Sequence, residues 1–436
     1  MNLKAPILYL SILFSLTNIS AQISHGGKPL SFEHKGLKSI SVFNTPLHNY
    51  QQMLREDEDN KGNTKPFRYG KVHDVELSPE NSGVWQQLAS GEKVWQLKIQ
   101  SKDAFAIGLI FNKFKLSRGV KLFMYSPDKK QIIGSFTQNN NKKNGWFSTI
   151  PLSGEVIILE LNVPKDQFYG EIQLSGIVHD YKNAFGLKGY GSSGSCNVNV
   201  NCTEGDDWQN EKKSVVKYTY NGYVCTGALI NNAAEDDTPY LLTANHCIGS
   251  SSEAASAVFW FNYESENCIA TGNPSYQSIS SSSLIATGGS LDFSLLELSV
   301  EPPLDYDVYY SGWNRSTNPA SKTVCIHHPS GDIKKITLDY DPPSTGDYGS
   351  GLITNSHWQI HEWDVGTTEG GSSGSPLYDE NHRIVGDLTG GDASCSYNYD
   401  DFYSKFDMSW DFYSNTNQQL KAWLDPNNTG VMVLDG

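Results

Sequence analysis

The stretch Gly370-Gly-Ser-Ser-Gly-Ser-Pro376 carries the residue types from which an activated serine nucleophile is built. A serine hydroxyl reacts poorly at neutral pH unless a base takes its proton and a carboxylate holds that base in one tautomer. It also needs backbone amides turned toward a developing oxyanion, which favours glycines just ahead of the serine. Leu242-Thr-Ala-Asn-His-Cys247 supplies a histidine, and Leu291-Asp-Phe-Ser-Leu-Leu-Glu-Leu298 an aspartate beside an apolar run. The three candidates therefore run His246, Asp292, Ser373, and the chemistry they suit is acyl transfer through a covalent serine intermediate.

The same glycines permit a second parsing, Gly370-x-Ser372-x-Gly374, with Ser372 as nucleophile on a strand-to-helix turn. That turn belongs to α/β-hydrolases, whose acid and histidine both follow the serine. Only His382 follows Ser372, too soon to return from another strand, and no alternation of strands with long helices surrounds the site. The chain order excludes this reading.

The elements that must position these residues divide the 436-residue chain into two halves of opposite charge. Residues 1–188 hold 23 Lys+Arg against 16 Asp+Glu, net +7, whereas residues 189–436 hold 10 against 32, net −22; together they make the −15 of the whole. The acidic half excludes a nucleic-acid partner, whose phosphates it would repel, and would draw in basic peptides as well as the basic half itself. Lys4, the apolar run Ile7 to Leu16 and Ile19-Ser-Ala21 have the make-up of a secretory signal cut after Ala21. The apolar run is too short to span a bilayer, and no later segment reaches the ~20 residues required. All seven cysteines lie between 196 and 395, so six can pair in an oxidising compartment and one is left over. His357 and His361 are four apart but lack the glutamate of a zinc-protease helix, and their surroundings read as strand, so no metal ligand is assigned.

Residues 22–188 alternate in the β manner at 94–99, 120–125 and 157–161, with turn clusters between them, and suggest a small sandwich. A Gly/Ser-rich linker at 186–195 follows, with Lys188 as a processing point. Residues 189–436 continue with short strands at 214–220, 257–261, 295–298, 323–326 and 384–388. A helix at 418–424 presents Leu420, Trp423 and Leu424 on one face, and Asp425-Pro426 stops it. The predicted fold class is all-β: a double β-barrel with a C-terminal helix, preceded by a β-rich domain.

Residues 189–436 resemble the bacterial lysyl endopeptidases of the trypsin-like serine proteases. The motifs that carry the resemblance are Gly194-Ser-Cys196, Thr243-Ala-Asn-His-Cys247, Asp292-Phe-Ser-Leu-Leu296, Ile326-His-His-Pro329, Gly371-Ser-Ser-Gly-Ser-Pro376 and Trp423-Leu-Asp-Pro426, and residues 22–188 are similar to the family's pro-region. The resemblance implies Ser373 as nucleophile, His246 as base and Asp292 as its orienting acid, with the amides of Gly371 and Ser373 as oxyanion hole. It also implies Asp401 at the base of the primary pocket, facing a substrate lysine or arginine. The segment Leu388 to Gly391, including Thr389 and Gly390, lines that pocket and pairs with substrate backbone. The implied disulfides are Cys196–Cys395, Cys202–Cys268 and Cys225–Cys247, which leaves Cys325 as a buried free thiol.

The chain departs from the family at two places beside the pocket: Thr389 stands where a histidine is usual, and Tyr348 roughly where its tryptophan partner would be. Ser372 replaces the aspartate that precedes the serine in animal trypsins, which argues against activation by a buried new N-terminus. His327 and His328 are read as packing. The expected protein is an exported, monomeric serine endopeptidase without cofactor, whose N-terminal domain assists folding and occupies the cleft until cleavage near Lys188. The rival expectations are the same fold with another specificity, and an inactive homologue that binds a partner through its N-terminal domain. The complete His246, Asp292 and Ser373 set counts against the latter.

Overall fold

The computed structural model describes residues 24–34, 36–59, 66–185, 192–272, 274–349 and 351–436. Ala21, the proposed signal cut, and Lys188, the proposed processing point, lie outside the described residues.

The N-terminal half is a sandwich of two sheets. One runs Val42–Asn44, Lys93–Gln100, Val156–Val163, Lys121–Tyr125 and Ile132–Phe136, with Val84–Gln87 added to Lys93–Gln100. The other runs Leu152–Ser153, Ala106–Leu116, Gly170–Asp180 and Gly70–Leu77, with Phe147–Ser148 added to Ala106–Leu116. Alternate residues of both sheets, among them Trp95, Leu97, Leu109, Phe111, Leu159 and Leu174, meet in one core. The predicted strands are present at 93–100, 121–125 and 156–163. A helix, Tyr50–Asp59, was not foreseen; its apolar stripe is only Tyr50, Met53 and Leu54, all half-buried, too short to mark it in the sequence.

The C-terminal half holds two barrels. In the first, the strand order is Gln277–Ser280, Val258–Phe261, Val215–Tyr220, Tyr223–Leu229, Tyr240–Thr243, Phe293–Leu298 and Ser282–Gly288. Its first and last members are two halves of one run, bent at Ser281 with φ +73°, and that bend closes the sheet on itself. The second runs Lys335–Asp339, Thr323–His327, Pro376–Tyr378, Ile384–Gly391, Tyr399–Lys405, His357–Glu362 and Ser344–Gly346, and a Leu338–Val365 bridge draws its ends together. The C-terminal helix is shorter than predicted. Gln419 is extended at φ −144° and ψ 149°, so only Lys421–Leu424 is helical, although Leu420 and Leu424 are buried as expected. Among the described residues no helix is long and apolar enough to cross a membrane.

The two halves share packing. Val258, Trp260, Tyr263 and Ile333 of the barrels join the sandwich core, and Phe185 stacks on Trp260 at 5.2 Å between ring centroids. A two-residue strand, Phe67–Arg68, leaves the N-terminal sheets and pairs with Tyr223–Val224 of the first barrel.

Candidate active site

His246 and Asp292 come together because their strands are antiparallel neighbours, with Thr243 opposite Ser294. His246 lies just beyond the end of one strand and Asp292 just before the start of the other. The backbone of Asp292 is left-handed, φ +63°, and is pinned by its N–H to Gly288 O at 2.7 Å and by Asn245 N–H to its carbonyl at 3.1 Å. Its carboxylate grips His246 twice: Oδ1 accepts from the His246 amide and Oδ2 from Nδ1, each at 2.8 Å. Asp292 is buried, so this ion–dipole contact is shielded from water. With the proton on Nδ1, the Nε2 lone pair is the one available as a base.

The serine loop depends on its glycines. Ser372 N–H donates to Glu369 O at 2.9 Å, closing a turn in which Gly371 sits at φ +99°, a conformation that favours glycine. Gly374, at φ +78°, runs so close to Thr226 O and Thr243 Oγ1 that a methyl group there would overlap both. Thr226 fastens the loop to the first barrel, its amide donating to Ser373 O and its hydroxyl to Gly371 O, both at 2.9 Å. The amides of Gly371 and Ser373 donate to no described residue, and neither does the Ser373 hydroxyl, so the serine loop holds three donors with no partner among the described residues. In unliganded enzymes the serine–histidine bond often tightens only when substrate binds. The Cys225–Cys247 disulfide ties the strand that carries Thr226 to the residue after His246.

His327 and His328 are fully buried, but one of them does more than pack. His327 Nδ1 lies 2.7 Å from Ser372 Oγ, one residue from the candidate nucleophile, and burial lowers its pKa to about 3. His328 Nδ1 binds Asp332 O at 2.9 Å. Sequence spacing alone had no means of linking His327 to the serine loop.

A cavity of about 940 Å³ runs past Ser373, lined there by Glu369, Gly370, Leu388, Thr389 and Gly391. Asp401 lies beneath it, fully buried on the strand beside Gly391. Its Oδ2 accepts from Trp363 Nε1 and Thr368 Oγ1, each at 2.7 Å, whereas Oδ1 has no partner. Gly391 passes directly over Oδ1, where a side chain would collide with it. Burial pushes the Asp401 pKa up to about 6 against the lowering effect of the two hydrogen bonds. A half-satisfied buried carboxylate is costly alone and suits a cationic side chain.

Thr389 does not stand alone. The neighbouring strand brings His357 to it, with Nε2 3.1 Å from Thr389 Oγ1 and Nδ1 2.9 Å from Ser356 Oγ. The Tyr348 ring lies 6.2 Å from that imidazole. A histidine therefore reaches this part of the site from a position that attracted notice in the sequence only as half of a His-x-x-x-His pair. The other half, His361, binds Ser344 Oγ at 2.8 Å. Burial lowers the His357 pKa to about 4, so it is neutral near pH 7. The three disulfides are those the resemblance implies, and Cys325 is a buried free thiol, its pKa pushed up to about 12.

The chain is similar to known proteins over part of its length. Residues 190–404 match the family model of the lysyl endopeptidase C-terminal domain. A curated lysyl endopeptidase of Pseudomonas aeruginosa is 29% identical over 320 residues, covering 65% of this chain and 66% of that protein, just under two thirds of its length. Among solved structures, an inactive form of the Rv3671c protease of Mycobacterium tuberculosis aligns at 20% identity and TM-score 0.29, covering 45% of this chain and 84% of that one. Deg5 aligns at 14% identity and TM-score 0.31, covering 46% and 87%. The matched segment, just under half of the chain, contains His246, Asp292, Ser373 and Asp401, so it is over the part that holds the candidate site that the chain is similar to lysyl endopeptidase-type serine proteases.

Proposed function

We propose that this chain is the precursor of an exported endopeptidase that hydrolyses peptide bonds after lysine, and to a lesser extent arginine. Ser373 Oγ attacks the scissile carbonyl as His246 Nε2 takes its proton, and the imidazolium is stabilised by Asp292. The amides of Gly371 and Ser373 receive the oxyanion, each such donor contributing ~3 kcal/mol to the transition state. His246 then delivers the proton to the leaving amine, and water repeats the sequence to free the acid. Residues 22–188 act as a pro-domain removed by a cut near Lys188, after export directed by residues 1–21.

The lysine preference rests on one observation, the buried Asp401 whose Oδ1 is left without a partner under Gly391. The deciding experiment is kcat/KM of the processed protein on matched peptides that differ only in Lys, Arg or Gln before the cut, with Ser373→Ala as blank. Lys should exceed Gln by at least a hundredfold. Equal rates would remove Asp401 from the pocket while keeping the protease. No cleavage by the processed protein would overturn the whole reading.

A further inference from the structure

The serine loop is rich in glycine, and glycine fixes no backbone conformation of its own, so tethers from outside must set it. Thr226 supplies two of them from the first barrel. A further tether is a carboxylate. Glu369 opens the loop, and its backbone carbonyl closes the turn through Ser372 N–H. Its side chain leaves the turn and joins two other segments. Oε1 accepts from Gly194 N–H and from Asn197 Nδ2, each at 2.8 Å, and Oε2 accepts from Ser330 Oγ at 2.7 Å. Three donors thus converge on one carboxylate, a group whose oxygens are built to accept.

Ser330 carries the connection on to the oxyanion donors. Its amide donates to Gly370 O at 2.6 Å. Gly370 O and the Gly371 N–H belong to one planar trans peptide and point in opposite directions, so holding the carbonyl on Ser330 aims that N–H away from it. The Gly371 N–H has no partner among the described residues and is one of the two proposed oxyanion donors. The turn Pro329–Gly331 packs directly behind it: a Cβ on Gly371 would stand 3.0 Å from His328 O and 3.1 Å from Gly331 N. Ser330 itself sits at φ +52°, a left-handed conformation that persists where the surroundings hold it. Lys217 Nζ grips Gly331 O at 2.6 Å, and Glu369 grips the Ser330 hydroxyl.

The segment that meets Glu369 is fixed in its turn. The Cys196–Cys395 disulfide ties it down on one side. On the other, Ser193 Oγ donates to Asp332 Oδ2 at 2.7 Å, and Asp332 N–H donates to Pro329 O at 2.9 Å. Position 194 needs glycine, because a Cβ there would stand 2.9 Å from Glu369 Oε1 and overlap Cys395 Sγ. Glu369 and Ser330 line the cavity that holds Ser373, whereas Gly194 does not.

We propose that Glu369 is a positioning residue of the oxyanion hole, joining Gly194 and Ser330 to the serine loop so that the Gly371 amide faces the substrate carbonyl. This rests on the protease reading of the same site. The segment Ser193–Asn197 then acts on the chemical step through Glu369, without touching the substrate.

The test is kcat and KM of the processed protein on the matched Lys and Gln peptides. Glu369→Ala should lower kcat about thirtyfold, less than the roughly hundredfold loss of a deleted donor, because the Gly371 amide is misaimed rather than removed. KM should stay within about twofold, and the Lys-to-Gln ratio of kcat/KM should not move, since the oxyanion forms with either peptide. Glu369→Gln keeps an acceptor for Gly194 and Asn197 and a donor for the Ser330 hydroxyl, and should restore kcat to within about threefold of the parent. Gly194→Ala should lower kcat about as far as Glu369→Ala, and the double variant no further, as two changes that break one connection do. A Glu369→Ala protein with a lower urea midpoint but the parent's kcat overturns the proposal. So does a raised KM for the lysyl peptide alone, which would make Glu369 a substrate contact. Should Glu369→Ala fail to accumulate, Gly194→Ala decides, and the parent's kcat in that variant overturns the proposal. If the processed parent cleaves neither peptide, the protease reading itself has failed and the positioning role falls with it.

Discussion

His327 Nδ1 and Ser372 Oγ are 2.7 Å apart in the floor of the serine loop, and both residues are fully buried. The same hydroxyl accepts from Glu369 N–H at 3.2 Å, so one oxygen braces the turn that presents Gly371 and Ser373. A buried polar group stripped of its partner costs ~1–3 kcal/mol. His327→Ala should accordingly lower stability by about that amount and lower kcat roughly tenfold, with KM little changed. His327→Asn can restore a partner for the hydroxyl and should recover most of kcat. Because burial and Lys335 hold His327 down to about 3, it is neutral at working pH, and neither variant should move the midpoints of the pH–rate profile. A displaced midpoint would show that His327 takes part in proton transfer rather than bracing the loop.

Asp401 makes a prediction about charge and pH together. Removing one partner of a buried ion pair costs ~3–5 kcal/mol. Asp401→Asn should therefore cut kcat/KM on a lysyl peptide by a few hundredfold to a few thousandfold, and change a glutaminyl peptide by only a few fold. Burial raises the Asp401 pKa to about 6, so in the empty cleft its charge is present above that pH and lost below it. The acid limb of kcat/KM for the lysyl peptide should include a step near pH 6 that is absent from the glutaminyl peptide and from Asp401→Asn. Identical limbs for both peptides would place the carboxylate out of reach of the substrate.

What could be read from the sequence was local. The φ +99° and +78° glycines at 371 and 374 were visible as glycines, and the apolar runs beside His246 and Asp292 marked strand ends. What could not be read was long-range pairing with no local trace. His327 meets Ser372 across 45 residues and His357 meets Thr389 across 32, and no periodicity couples such positions. Phe67–Arg68 is too short to show alternation, and its partner Val224 lies in the other half of the chain. The helix Tyr50–Asp59 offered only the short, half-buried stripe of Tyr50, Met53 and Leu54, although its Asp57 anchors that strand. The departure at Thr389 was legible as a missing histidine; that His357 comes to Thr389 from the adjacent strand was not.

The disulfides separate stability from positioning. Cys225–Cys247 spans 22 residues, and closing a loop of that order contributes ~3 kcal/mol on the chain-entropy model. Its ends flank Thr226, which holds the serine loop, and His246. Cys202–Cys268 lies outside this arrangement. Replacing either pair by serines should lower the denaturant midpoint, but only Cys225→Ser/Cys247→Ser should also lower kcat at a temperature where both proteins stay folded. Equal kcat losses would mean that the bond beside His246 acts through global stability alone.

Asp387 offers the last prediction, from a carboxyl the proposed chemistry does not use. It is buried on the strand Ile384–Gly391, its Oδ2 has no partner, and burial, reinforced by the Asp292 charge, raises its pKa well above the ordinary carboxylate value. A group that binds its proton more tightly when folded contributes most stability below its unfolded pKa, near 3.9, and that contribution is lost as pH rises toward the native value. Asparagine carries no such proton. Asp387→Asn should be at least as stable as the parent at pH 8 and lose its advantage at pH 4. Its stability should therefore fall less steeply between those two pH values, as read by urea unfolding at pH 4, 6 and 8. Other buried acids such as Asp401 also titrate, so the difference between variant and parent is the quantity that isolates Asp387. Parallel curves would show that Asp387 is ionised in the native state and stabilised by contacts other than those described.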